Sequence, residues 1–192
     1  MAHFFDRRSP ARVIAGRANQ AAGSGFEIWL NFQHQEAIHR GLLACVEKSE
    51  PHLRIVGGKK IYNRPGVADY FGTLASGTRS TGHFTGRVYS SALDGVSLAA
   101  EAKSTSSDRL ARAEVKPKQA AHLDAVARAG GLALLLCEFR AGTPTRCAVS
   151  WTEVPWTKLR TADSVGLSDL TEWIIAPGEN YLTKFLTAEA RR

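Results

Sequence analysis

No Cys-x-x-Cys occurs in this chain, and its three cysteines, Cys45, Cys137 and Cys147, show no paired spacing. An odd number of isolated cysteines argues against a disulfide framework, and the missing Cys-x-x-Cys argues against a zinc site. Each cysteine sits in an apolar run, so all three are expected as reduced core residues of a cytoplasmic protein. No apolar stretch is long enough to span a bilayer, and the N-terminus lacks the apolar centre of a secretory signal. No membrane partner is therefore expected. There is also no internal repeat, which excludes solenoid architectures.

Positive charge is what the chain has in excess. Over 192 residues the net charge is +7, and the isoelectric point is about 9.6. That balance favours polyanionic partners over acidic ones. Hydrophobic residues at 44% and charged residues at 22% place the chain among globular proteins with a core of ordinary size. The basic residues are clustered: Arg7, Arg8, Arg12 and Arg17 near the start; Lys59, Lys60 and Arg64 before Asp69; Arg79 and Arg87 beyond it; Arg109, Arg112, Lys116 and Lys118 further on. Arg17, Lys59, Lys60, Arg64, Arg79, Arg87, Lys116 and Lys118 are the candidate phosphate contacts. Any one of them can equally be a solvated charge.

Residues 1–23 are polar, rich in Arg, Ala and Gly, and weakly patterned, which predicts a flexible basic arm ahead of a single domain over 24–192. A helix is predicted from an N-cap at Ser24 towards His39, on the spacing of Phe26, Trp29, Leu30, Ala37 and Ile38. His34 and His39 are read as surface residues of that helix. Strands are predicted over 42–46, 53–56, 59–63 and 67–74, the last carrying Asp69. Residues 75–91 contain an inserted loop or hairpin rich in Gly, Ser and Thr, and strands over 87–92 and 96–103 flank the turn Asp94-Gly95. A helix over 117–129 stops at Gly130-Gly131. The apolar run 132–139 reads as a strand buried on both faces, and 146–154 as one more strand. Trp151, Trp156 and Trp173 are expected in the core, His122 half-buried on its helix, and a short helix at 181–190. A helix between the strands at 96–103 and 132–139 implies a parallel crossover within a mixed sheet. The class is therefore α/β, a mixed central sheet flanked by helices.

The chemistry concentrates at Glu101-Ala102-Lys103, which ends the apolar run Val96-Ser97-Leu98-Ala99-Ala100. Side chains alternate along a strand, so Glu101 and Lys103 share a face. With Asp69 from the preceding strand, two acids and a lysine form a minimal kit for Mg²⁺-dependent phosphodiester cleavage. Asp94 competes with Asp69 for the first acid, but it stands at a hairpin-turn position, where Asp is favoured for backbone reasons. Glu27 could complete the outer ligand shell, or be an ordinary first-turn acid. Gln119 could hold water or phosphate, or be a solvated first-turn residue.

Several segments in this order resemble the PD-(D/E)xK nuclease superfamily, and within it the RecU-type Holliday-junction resolvases. They are Gly25-Phe26-Glu27, Ala44-Cys45-Val46-Glu47-Lys48 followed by Pro51, Asp69-Tyr70-Phe71-Gly72, Glu101-Ala102-Lys103-Ser104-Thr105, Gln119-Ala120-Ala121-His122-Leu123, and Asn180-Tyr181-Leu182. The resemblance implies a restriction-endonuclease-like core and a Mg²⁺-dependent endonuclease, with Mn²⁺ able to substitute. It implies a homodimer that resolves four-way junctions by paired nicks, in a bacterial or phage-infected cell. Asp69, Glu101 and the carbonyl of Ala102 would hold the metal, with Lys103, Glu27 and Gln119 completing the catalytic set. The chain departs from the pattern in a longer interval between Asp69 and Glu101 and a shorter segment before Asp69. A duplex-cutting endonuclease of the same superfamily, or an inert basic DNA-binding protein on that fold, are the competing expectations.

Overall fold

The computed structural model describes residues 10–49, 52–56, 59–63, 68–75, 95–153 and 162–183. Its elements are α1 (Pro10–His39), β1 (Leu43–Lys48), β2 (His52–Val56), β3 (Lys59–Asn63), β4 (Tyr70–Leu74), β5 (Ser97–Thr105), β6 (Arg109–Ala111), α2 (Pro117–Arg128), β7 (Leu132–Phe139), β8 (Thr145–Ser150) and β9 (Ser164–Gly166). Short 3₁₀ turns span Arg112–Glu114 and Leu167–Trp173. Among the described residues, no helix is long and apolar enough to cross a membrane.

The fold is α/β, built on a five-stranded mixed sheet in the order β1-β4-β5-β7-β8. β5 and β7 are its parallel pair, and the other neighbours are antiparallel. Parallel neighbours need a crossover, and α2 supplies it, as the sequence predicts. All eight residues of β7 are buried, and its near-continuous apolar composition, interrupted by Glu138, suits an interior strand.

α2 ends in a Schellman motif: the N–H of Gly131 reaches the carbonyl of Val126 at 2.9 Å, and that of Gly130 reaches Ala127 at 3.1 Å. Gly130 adopts φ 79° to make the turn, and a side chain at Gly131 would collide with Val126 and Ser97. The chain is thereby returned straight into β7.

α1 buries Phe26, Leu30, Gln33, His34 and Ala37, a stripe at helical spacing. It packs on β1 and β5, while α2 packs on β5 and β7. The C-terminal segment docks on α1: Asn180 Nδ2 donates to the Gln33 carbonyl at 2.8 Å, and the Tyr181 N–H donates to Gln33 Oε1 at 3.0 Å. Trp151 and Trp173 are core residues as expected.

Four readings of the sequence are corrected. α1 begins at Pro10 and not at Ser24, so residues 10–23, assigned to a flexible arm, have helical backbone. A run rich in Ala and Arg has good helix propensity without an apolar stripe, and Pro at a first helical position is well tolerated. His34 is not a surface residue. It is 3% exposed and wedged edge-on against Tyr70 and Tyr181. Cys45 is exposed, whereas Cys137 and Cys147 are buried; edge strand β1 leaves one face open. Asp69 immediately precedes β4 instead of lying within it. Residues 76–94, including the predicted insertion, Arg79, Arg87 and Asp94, lie outside the described residues, as do Arg64, Trp156 and most of the expected terminal helix.

Candidate active site

β4 and β5 pair with Tyr70 opposite Ala100, which brings Asp69, one residue before β4, level with Glu101. Its carboxylate takes over where the ladder stops: Asp69 Oδ2 accepts the backbone N–H of Ala102 at 2.9 Å. The Asp69 carbonyl accepts the Ser49 N–H at 2.8 Å, anchoring the same residue to the end of β1. Gly72 is needed for this arrangement. A Cβ there would stand 2.5 Å from the Cys45 carbonyl, beside the register shift between Leu43 and Cys45.

Glu101 is fully buried. Its Oε1 accepts from Lys103 Nζ at 2.5 Å and also from Gln119 Nε2. Gln119 is itself fixed, because its Oε1 accepts the Lys116 N–H at 3.0 Å in the first turn of α2. Oε2 of Glu101 is buried and has no hydrogen-bond partner among the described residues. Burial first, and then the neighbouring Asp69 carboxylate, push the Glu101 carboxyl up to about 7; Lys103 opposes both.

On the other face of β5 lies a cleft of about 100 Å³, lined by Phe26, Glu27, Asp69, Tyr70, Ala102 and Ser104. Strand alternation explains the division. Ala102 and Ser104 point towards α1 and the cleft, whereas Glu101 and Lys103 point towards α2. Asp69, at the sheet's end, belongs to both sides. Glu27 stands at the cleft wall, half-exposed and ion-paired with Lys48 at 2.6 Å. Tyr70 feels both acids: burial, then Glu27, then Asp69 raise its pKa to about 12.

Asp69, Glu101, Lys103, Gln119, Glu27 and Ala102 are therefore all brought to one end of the β4–β5 pair. Lys116 and Lys118 are exposed beside them on α2. Lys59 and Lys60 lie in β3 and Arg17 in α1, but their side chains fall outside the described set. His122 is half-buried as expected, edge-on to Phe71 at 5.4 Å, and burial lowers its pKa. Among the described residues no three His, Cys, Asp or Glu side chains converge on one point. The hard oxygen donors are the Asp69–Glu101 pair, with the partnerless Glu101 Oε2 foremost, and the main chain of Ala102 beside them.

The sequence reading missed Lys48, which steers Glu27, and the group Ser104, Glu138 and Arg146. One signal was present for the latter: Glu138 interrupts the apolar run of β7, and a buried carboxylate demands a cationic partner.

No protein-family model matches the chain, and no curated protein matches it significantly.

Proposed function

We propose that this protein is a Mg²⁺-dependent endodeoxyribonuclease on a restriction-endonuclease-like core, resolving four-way DNA junctions by paired nicks as a homodimer. The observation that carries the reading is the buried Glu101, held by Lys103 and Gln119 beside Asp69, with one carboxylate oxygen lacking a partner among the described residues. Burial and the neighbouring Asp69 carboxylate raise the proton affinity of Glu101, and a divalent cation between the two acids relieves that repulsion better than a proton does. The oxygen donors fit a hard ion: Asp69, Glu101 and the carbonyl of Ala102 would hold it, with Mn²⁺ as a substitute. Bound there, the ion supplies Lewis-acid polarisation of a phosphate and a more acidic water.

The protein's own groups do the rest. Lys103 offers a positive charge at the site where a phosphorane gains negative charge, in surroundings only 15% exposed for its side chain. Gln119 keeps the Glu101 carboxylate from rotating. Glu27, steered by Lys48, borders the cleft from α1, where it can accept a proton or a water hydrogen bond. Lys116 and Lys118 continue positive charge along α2 for the DNA backbone. Junction selectivity and the homodimer follow from the RecU-type resemblance and from symmetric nicking, which needs two sites related by a two-fold axis.

The test is incubation of end-labelled four-way junction, duplex and single strand with the protein, with and without Mg²⁺ or Mn²⁺. Metal-dependent paired nicking of the junction is expected. Equal cutting of duplex would replace junction resolution with a general endonuclease. DNA binding without cleavage in either metal would reduce the protein to a basic binding module.

A further inference from the structure

From Ser104 on the cleft wall, a row of polar side chains crosses the sheet. Ser104 on β5 is paired in register with Glu138 on β7, and Glu138 with Arg146 on β8, so the three share a face. Ser104 Oγ donates to Glu138 Oε2 at 3.0 Å. Arg146 Nε and Nη2 each reach Glu138 Oε1 at 3.0 Å, and the same guanidinium stacks over Trp29 of α1 at 4.6 Å. Arg140 leaves the end of β7 with its N–H bound to the Thr105 carbonyl at 2.9 Å. Its guanidinium comes only to 4.0 Å from Glu138 Oε2, and its buried Nε has no hydrogen-bond partner among the described residues.

The charges in this row do not balance. Glu138 is 3% exposed and needs one cation to be buried tolerably. Arg146 supplies it, its Nε donating to Glu138 Oε1 and its Nη2 ion-paired with the same oxygen, which leaves most of its five N–H donors for other partners. Arg140 is a second cation on the same acid, in loose contact with it. Arg140 follows the carboxyl end of β7, and Arg146 stands near the amino end of the antiparallel β8. Both therefore lie at the sheet end where the parallel strands β5 and β7 finish, the end of an α/β sheet where ligands bind. Two strand spacings put Arg146 roughly 10 Å from Ser104, about three nucleotide rises along one DNA strand.

We propose that Arg140 and Arg146 bind a backbone phosphate of the cleaved DNA strand, a few nucleotides from the scissile bond. Glu138 and Trp29 act as positioning residues that hold the Arg146 fork in place. Arginine suits the task, because its planar guanidinium still has free donors for two phosphate oxygens after pairing with the acid. The inference rests on the nuclease reading above and adds the location of one DNA contact.

The experiment measures binding of a fluorescein-labelled four-way junction by anisotropy over a salt series without divalent metal. It compares the wild-type chain, Arg140→Gln, and the paired variant Glu138→Gln with Arg146→Gln, each checked by thermal melting. The expected result is a several-fold weaker affinity for Arg140→Gln at an unchanged melting temperature, and a salt slope reduced by about 1. The paired variant, which removes acid and cation together, should weaken binding similarly. If the wild-type chain binds the junction and Arg140→Gln binds with the same affinity and slope, the row is purely architectural and the inference falls alone. If the wild-type chain binds no DNA, the nuclease reading falls and takes this site with it.

Discussion

Gln119 and Glu101 are joined side chain to side chain across the gap between α2 and β5, and the amide is locked by the Lys116 N–H behind it. The buried acid is thus held by a helix start and by a lysine of its own strand, while Asp69 approaches from just ahead of the neighbouring strand β4. Each member of this group can be removed in a way that separates chemistry from folding.

Asp69→Asn and Glu101→Gln are each expected to abolish cleavage while junction binding survives. Asn at 69 keeps an oxygen that can accept the Ala102 N–H, so the β4–β5 end should persist. Cleavage is read with labelled junction in Mg²⁺ and binding by anisotropy. Full activity in Asp69→Asn, with loss in Asp94→Asn, would transfer the first acid to Asp94.

Lys103→Met should lower single-turnover cleavage by about 100-fold or more, since a preorganised charge in a dry site is poorly replaced by water. The fold should tolerate the change. Glu101 can take up a proton when its cation is removed, and the methionine stem refills the space. A Lys103→Met variant that melts as wild type and cuts at the wild-type rate would make Lys103 a structural partner only.

Glu101 should make the metal-free protein less stable as pH rises. Its folded pKa, about 7, lies above the ordinary value of 4.5, so its contribution is fully present below pH 4.5 and is lost through pH 7. At 1.36 kcal/mol per pKa unit the effect is on the order of 3 kcal/mol. Chemical denaturation at pH 5 and pH 8 should show this loss in the wild type and not in Glu101→Gln. Equal slopes in the two proteins would mean that the carboxyl is not strained by burial.

His34 works in the opposite direction. Burial between Tyr70 and Tyr181 depresses its pKa from 6.5 to about 4. The stability it contributes is present above pH 6.5 and lost as pH falls towards 4. Replacing it by Phe, which cannot charge, should flatten the acid limb of the melting curve over that range. Acid sensitivity identical to wild type would contradict a neutral buried imidazole.

Gly72→Ala should destabilise by about 1–3 kcal/mol, the usual cost of overpacking, because the added methyl would meet the Cys45 carbonyl at 2.5 Å. Backbone cannot yield there as a side chain could. Urea melts of the variant measure the cost, and a neutral result would show that the edge strand β1 is free to shift.

Local features were legible in the residues themselves. Alternation alone places Glu101 and Lys103 on one face, the apolar run 132–139 marks an interior strand, and Gly130-Gly131 marks the end of α2. All three depend on neighbours in the chain and on periods of 2 and 3.6 residues. The position of Asp69 ahead of β4, and the helical backbone back to Pro10, blurred because boundaries carry weaker signals than periodicity.

Tertiary structure decided everything that depends on docking between elements. Whether Gln119 touches Glu101 depends on how α2 lies on β5. Whether His34 is buried depends on where Tyr181 returns to α1. The row Ser104–Glu138–Arg146 exists only through the registers of β5 with β7 and of β7 with β8. Such contacts join residues far apart in the chain, so no local pattern encodes them, and burial then sets their energies by withdrawing the charges from water.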